Sequence, residues 1–334
     1  MKRILAADMG GTNSRFAFFR IEEKGGLSLV ESRWLETRKS RSFSHLLTLL
    51  DKTEFALTLS QCDLAVLAVA GPVIKGVYSN PPNIPWDIDI TNSKDDFNLK
   101  RCILINDFAA QAYACRSPII NSARQVVAGE IDSAATLAVI GAGTGLGMAA
   151  LTPDGAGGYV VVPSEGGHSA FPFESQAEFD FMRFLIDELE TAYVEAEFVV
   201  SGRGLSLIHQ FLSGNKLTAV EVSAGLSQES KTLRWMARFY GRACRNYALQ
   251  VLARGGVYLA GGVAAKIPDI VNHPEFKRQF HRSKTMSHML KKIPVYLNTN
   301  EESGLWGAAF AGMLNLRKHG DLENASDRLG PTQT

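Results

Sequence analysis

Cysteine is scarce in this 334-residue chain: Cys62, Cys102, Cys115 and Cys244 are all there is. None has a paired metal-ligand spacing, and four thiols in a chain this long make no disulfide framework. Three of them fall in apolar or helical surroundings, the pattern of buried thiols in a cytosolic protein. Net charge is scarce too, at a formal +1. That balance argues against a dedicated binder of nucleic acid or of a membrane surface. Long apolar runs are missing: the longest, Leu64 to Val73, is broken by Gly71-Pro72 and cannot span a bilayer. The apolar stretch after Met1-Lys2-Arg3 stops at Asp8, short of a secretory signal. There is no Pro/Ser-rich linker and no low-complexity segment. What remains is 46% hydrophobic and of a length that suits two domains with sizeable cores. The expectation is a soluble, cytoplasmic protein.

What is present is glycine in two patterned places. Ile4-Leu5-Ala6-Ala7-Asp8 is an apolar run ending in an acid, followed by Met9-Gly10-Gly11-Thr12-Asn13-Ser14-Arg15 and then by Phe16-Ala17-Phe18-Phe19. This reads as a β-hairpin with a polar, glycine-rich turn. Such a turn serves either as an ordinary connector or as a concavity of backbone N–H groups that holds an anion. Thr12 and Asn13 add side-chain donors, and Asp8 is placed to hold a divalent cation directly or through water. The pattern then repeats. Thr136 to Ile140, the turn Gly141-Ala142-Gly143-Thr144-Gly145-Leu146-Gly147 and Met148 to Leu151 form a second strand–turn–strand. Two phosphate-type hairpins in the two halves suggest a duplicated fold with nucleotide between the halves. Neither is a Walker loop, since no Gly-Lys-Ser/Thr follows, and the alternating glycines do not give the dinucleotide spacing.

Between the hairpins, Leu27–Leu35 reads as a third strand and Phe43–Leu59 as a helix with Leu46, Leu47, Leu50 and Phe55 on one face. Asp63–Ala70 is a buried strand, so a mixed sheet with helical cover is expected. The proline-rich loop Val77–Trp86 carries Asn83 and is either a ligand-positioning loop or a stiff surface turn. Arg101–Ile105 is another buried strand, and Asn106-Asp107 follows at its carboxyl end, where ligands sit in α/β sheets. An acid there can equally be the N-cap of the next helix.

In the second half, Gly157–Pro163 is a strand leading to Ser164-Glu165-Gly166-Gly167-His168, a glycine-softened turn that could grip a hydroxylated substrate. A lone histidine is more often structural. Ala177–Thr191 and Lys231–Ala253 have helical spacing, with Gly255-Gly256 as the C-cap pair of the second. Val257–Ala260 meets Gly261-Gly262, a flat surface for adenine or ribose, or simply close helix–sheet packing. His273–Lys292 is basic and reads as a solvated helix–loop insertion. Val295–Leu297 is a last strand, Ser303–Ala309 opens a small-residue helix, and the tail from Lys318 is expected to fray.

The ordered set Asp8 to Arg15, Ile105-Asn106-Asp107-Phe108, Gly141 to Gly147, Ser164 to His168, Ser201-Gly202-Arg203-Gly204 and Leu259-Ala260-Gly261-Gly262 resembles bacterial glucokinases. These are the ATP-dependent, non-zinc type of the hexokinase and actin-like ATPase superfamily. The resemblance implies an α/β, two-domain actin-like ATPase (ribonuclease H-like) fold with duplicated mixed β-sheet cores and an interdomain cleft. It implies a small domain of 1–115 plus about 304–334 and a large domain of 116–303. It also implies phosphorylation of D-glucose to glucose 6-phosphate, the first step of glycolysis, with ATP and Mg²⁺. Asp107 would be the catalytic base. Asn83, Asn106, Asp107, Glu165, His168 and Glu197 would bind the sugar. Asp8, Gly10, Gly11, Thr12, Asn13, Arg15, Gly141, Gly143, Thr144, Gly145, Gly261 and Gly262 would hold ATP, with Asp8 reaching Mg²⁺ through water. A homodimer is implied as well. Alternatives are a related hexokinase with another or broader hexose preference, or a catalytically idle sugar sensor. One departure stands out: Ser169-Ala170-Phe171-Pro172-Phe173 lacks the acid usual after the histidine turn.

Overall fold

The computed structural model describes residues 1–23 and 25–321. The chain forms two compact units, Met1–Asn121 with the segment from Glu301 onward, and Ser122–Asn300. The first unit opens with β1 (Lys2–Met9), β2 (Asn13–Ile21) and β3 (Leu27–Glu36), then α1 (Phe43–Asp51) and β4 (Leu64–Val69). A short ribbon, β5 (Tyr78–Ser79) and β6 (Ile88–Asp89), precedes α2 (Ser93–Phe97), β7 (Cys102–Asn106) and α3 (Asp107–Ala114). In the second unit come β8 (Arg124–Val127), β9 (Leu137–Ala142), β10 (Leu146–Pro153) and β11 (Tyr159–Ser164). Helices α4 (Gln176–Leu189), α5 (Gly202–Ser213), α6 (Ala219–Ala224) and α7 (Lys231–Gln250) follow. Then β12 (Val257–Ala260) leads to α8 (Gly262–Lys266), α9 (Asp269–Asn272), α10 (Pro274–Phe280), α11 (Ser287–Leu290) and β13 (Val295–Leu297). The final helix, α12 (Ser303–Lys318), belongs to the first unit.

The two sheets share one plan. In the first, the order is β3-β2-β1-β4-β7: an antiparallel meander of three strands continued by two parallel strands. In the second, β11-β10-β9 form the meander, β12 and β13 continue in parallel, and β8 adds an antiparallel edge. The duplication suggested by the two glycine turns is therefore a duplication of sheet topology, and both turns lie at the same place, between the first two strands of each meander.

Period-two alternation explains how the first sheet is covered. Leu5, Ala7 and Met9 of β1 face a core with Phe43, Leu46 and Leu50 of α1. Ile4 and Ala6 face the other way, onto Leu305, Ala308 and Ala309 of α12. The small residues of α12 have a steric cause. A Cβ on Gly307 would lie 1.7 Å from the Ala110 carbonyl oxygen of α3, so only glycine lets these helices meet. In the second unit, all six residues of β9 are buried. Its core includes Phe181, Leu185, Phe239 and Tyr240 from α4 and α7.

Three expectations need correction. The helix from Phe43 ends at Asp51 and not near Leu59, because the chain turns through Glu54 in the left-handed region (φ 55°). Phe55 is still buried, but by the turn, which apolar spacing does not distinguish from another helical turn. The long helix ends at Gln250, and Leu252 (φ 50°), not the glycine pair, takes the left-handed position; Ala253 N–H donates to the Ala248 carbonyl at 2.9 Å in a Schellman closure. Finally, the 273–292 segment is not simply solvated. Phe276, Gln279 and Phe280 of α10 are buried, and a Cβ on Gly241 of α7 would come 2.3 Å from the Phe276 carbonyl oxygen. Its acid, Glu275, pairs with Arg278 at 2.7 Å and with Arg238 at 3.4 Å. Most of the polar tail, 322–334, lies outside the described residues. Among the described residues no helix is long and apolar enough to cross a membrane.

Candidate active site

In the first unit, the β1–β2 turn is held from outside. Gly10 N–H donates to the Asn13 carbonyl at 3.0 Å, Thr37 Oγ1 donates to the Gly10 carbonyl at 2.6 Å, and Thr37 N–H donates to the Thr12 carbonyl at 2.9 Å. Thr12 and Asn13 are exposed at its tip. Gly11 is small because the proline-rich loop crosses it: an added Cβ would lie 2.4 Å from the Asn83 carbonyl oxygen. The structure thus brings an expected nucleotide residue, Gly11, against an expected sugar residue, Asn83.

Asp8, next to last in β1, is half-buried, opposite Arg15 of β2. Burial pushes its carboxyl above the ordinary value, and the Arg15 charge pulls it back in part. Its carboxylate occupies the space that a side chain at position 304 would fill, since a Cβ on Gly304 would lie 2.7 Å from Oδ2. Arg15 stacks 3.9 Å over the Trp34 ring and pairs with Glu301 at 3.7 Å.

The strand-end pair resolves into two roles. Asn106 is the N-cap of α3: its Oδ1 accepts from Phe108 N–H at 2.9 Å and from Ala109 N–H at 3.1 Å. Its Nδ2 donates to the Gly71 carbonyl at 3.1 Å, which leaves one amide N–H for other use. Asp107 is therefore the first helical residue and not the cap, half-buried, with Oδ1 accepting from Phe108 N–H at 2.9 Å.

In the second unit, Gly143 N–H donates to the Gly145 carbonyl and Gly202 N–H to the Gly143 carbonyl, both at 2.9 Å. The β9–β10 turn is thereby fastened to the first turn of α5. Gly141 is buried inside β9, opposite Gly147 and Ala260, so Gly143, Thr144 and Gly145 form the accessible part of the turn. Gly261 (φ 84°) lies tight against β9, where a Cβ would come 2.5 Å from the Ala142 carbonyl oxygen, while a Cβ on Gly262 would meet Lys266 Cε at an ordinary 4.0 Å; both residues are exposed. Of the two readings of the glycine pair, close packing is what Gly261 shows.

Behind that turn lies a group of acids around one imidazole. A Cβ on Gly145 would lie 2.4 Å from Glu197 Oε2. His168 Nδ1 is 2.8 Å from Glu195 Oε2 and 3.8 Å from Glu197 Oε1, and its Nε2 is 3.8 Å from Glu165 Oε2. The Glu195 hydrogen bond raises the His168 pKa above its ordinary value; partial burial opposes this, and the charges of Glu197, Glu195 and Glu165 add to it. Glu195 was not among the sequence candidates. Its signal is a second carboxylate two residues before Glu197; the 3₁₀ turn Ala196–Phe198, with Glu195 just ahead of it, sets where the two acids lie. It also answers the missing acid after His168: Ala170 bridges Glu195 across the backbone, so a carboxylate arrives from the opposite segment.

The chain matches a family model described as Glucokinase over residues 5–315. It is 30% identical to the glucokinase of Nostoc punctiforme, over 92% of this chain and 98% of that protein. Among solved structures it is similar to a glucokinase from an Antarctic psychrotroph, with TM-score 0.80, 27% identity, and coverage of 93% of this chain and 98% of that one. At the level of fold it is similar to the glucose complex of Balamuthia mandrillaris glucokinase, with TM-score 0.74, 21% identity, and coverage of 92% and 93%. The paired meander-plus-parallel sheets are those of the actin-like ATPase fold. With a family match running almost end to end and relatives covered almost whole, this chain belongs to the glucokinase family.

Proposed function

We propose that the chain is an ATP:D-glucose 6-phosphotransferase, converting glucose and ATP to glucose 6-phosphate and ADP. The observation that carries this is the near-complete family match over residues 5–315. Asp107 is the general base in this reading: it takes the proton of the sugar's 6-hydroxyl as that oxygen bonds to the γ-phosphorus and the bond to ADP breaks. Its support is a position at the first residue of α3, directly after the carboxyl end of β7, with the cap of the helix supplied by Asn106. Asn83, Asn106, Glu165, His168 and Glu197 hold the sugar hydroxyls. Gly10, Gly11, Thr12, Asn13 and Arg15 from one hairpin, and Gly143, Thr144 and Gly145 from the other, hold phosphate, with Gly261 and Gly262 against the nucleoside; Gly141, expected beside them, is buried within β9 instead.

Mg²⁺ is the cation of this reading, held by Asp8 through water. The fit rests on chemistry: a half-buried carboxylate suits a hard cation that keeps most of its waters, and the absent side chain of Gly304 leaves the acid its space. When bound, the cation neutralises charge on the phosphates. The cytoplasm as compartment and a homodimer as assembled form belong to the same reading.

The test is ADP release with ATP, Mg²⁺ and a panel of hexoses, beside the Asp107→Asn variant. Turnover is expected with glucose and lost in the variant. Turnover confined to another hexose, or sugar binding without turnover in the unaltered chain, overturns the proposal.

A further inference from the structure

We propose that Glu195 is a positioning residue of the sugar site, holding the Nδ1 proton of His168 so that Nε2 is the atom offered to a hexose hydroxyl. The proposal rests on the reading of His168 as a sugar-binding residue. Its geometry is local to the second unit. His168 closes the 3₁₀ turn Gly166–His168, whose backbone alone does not fix the ring. Glu195 is fixed, by contrast. On either side of the Ala170 bridge, Phe171 N–H donates to the Val194 carbonyl and Ala196 N–H to the Ser169 carbonyl, both at 2.9 Å. Tyr193 OH donates to the far oxygen, Oε1, at 3.3 Å. The near oxygen, Oε2, meets His168 Nδ1 at 2.8 Å.

A carboxylate accepts only, so the imidazole must donate from Nδ1. That decides the chemistry of the other nitrogen. In the neutral ring Nε2 accepts a hydroxyl proton; in the charged ring it donates to a hydroxyl oxygen. Either form binds a sugar hydroxyl, and neither leaves the ring free to flip. The titratable groups that face the ring within the unit are Glu165, Glu195 and Glu197, with the Tyr193 hydroxyl behind Glu195. Removing Glu195 leaves Glu165 and Glu197 at 3.8 Å, outside hydrogen-bonding range, as charges without a directional contact.

The test uses Glu195→Gln, Glu195→Ala, His168→Ala and the Glu195→Ala/His168→Ala double variant in the full chain. KM for glucose, KM for ATP and kcat are measured, and the His168 ring is followed by ¹⁵N NMR against pH. Expected for Glu195→Ala is a rise in glucose KM of about ten-fold, the scale of one charged hydrogen bond. ATP KM should stay within about two-fold, and the ring pKa should fall. In the double variant the loss should not exceed that of His168→Ala alone, because both changes remove one contact. Glu195→Gln, whose side-chain oxygen still accepts, should recover part of the KM while the pKa stays low. If His168→Ala leaves glucose KM unchanged, the sugar reading of His168 fails. If His168→Ala raises KM but Glu195→Ala changes neither KM nor the ring pKa, the positioning role alone fails. Additive losses in the double variant also overturn it.

Discussion

The carboxylate of Glu197 rests directly on Gly145: an added Cβ at the glycine would stand 2.4 Å from Oε2. A turn expected to hold phosphate is thus also the floor under an acid expected to hold sugar. The backbone of Gly145 is not in the left-handed region, so alanine costs no conformational strain there. What must yield is the far end of a flexible side chain. We expect Gly145→Ala to fold, with a melting temperature close to that of the parent, and to bind glucose more weakly. Loss of charged hydrogen bonds predicts a rise in glucose KM of about 10–100-fold. Steady-state kinetics with each substrate varied in turn checks this; a defect confined to ATP KM would separate the two roles of the turn.

Asn106 and Asp107 are adjacent, but their substitutions should fail differently. Asn106→Ala removes two accepted N–H groups at the start of α3 and the bond to the Gly71 carbonyl. A lost N-cap costs about 0.5–2 kcal/mol, and a chemical denaturation midpoint will register it. Asp107→Asn keeps the cap. The helix-end charge interaction it loses is worth about 0.3–1 kcal/mol, while kcat falls by about 10²–10⁴-fold. Denaturation and turnover measured on both variants give opposite rankings if the roles are as described.

Much of this was legible in the chain because it is written in short-range chemistry. Both meanders follow from apolar runs interrupted by glycine turns, and the duplicated sheet plan follows from finding that pattern twice. Asp8, Asp107, Glu165 and His168 stood out as polar groups at the ends of such runs, while Glu197 came only from the family resemblance. What was not legible depends on contacts between segments far apart. Leu252 closes α7 in a conformation that glycine usually takes, with Gly255 and Gly256 three and four residues further on to mislead. The basic stretch 273–292 has a hidden apolar face, because Phe276 and Phe280 meet α7. Glu195 shows its partner only once the Ala170 bridge folds it back onto His168.

His168 also predicts a pH dependence of stability. Its folded pKa lies above the ordinary 6.5, through the Glu195 hydrogen bond first, against partial burial, with the nearby carboxylates adding. A group that binds its proton more tightly when folded stabilises the fold fully below the unfolded pKa and loses that contribution as pH rises through the folded one. The difference in melting temperature between the parent and His168→Ala should therefore be largest below pH 6.5 and shrink at alkaline pH. Since the ring is largely exposed, the effect should be small and should weaken in high salt. A difference that grows toward alkaline pH would contradict the raised pKa.

Arg242 offers the sharpest stability prediction. Its guanidinium is fully buried and grips Glu178 with both ends, Nη1 to Oε2 at 2.6 Å and Nη2 to Oε1 at 3.0 Å, while Nη1 also donates to the Pro172 carbonyl at 2.8 Å. Burial would raise the Glu178 pKa, but the Arg242 bonds, the Glu174 N–H and the Arg238 charge outweigh it and leave the acid below 4.5. Truncating one partner strands the other, so Arg242→Met should cost about 3–5 kcal/mol. Replacing both ends removes the stranded charge together with the pair, so Arg242→Met/Glu178→Met should recover most of that loss. The sign with pH follows from the lowered acid: its contribution is present above pH 4.5 and disappears as pH falls through the folded pKa. Denaturant midpoints should accordingly fall more steeply with acid in the parent than in the double variant, and equal slopes would contradict the lowered Glu178 pKa.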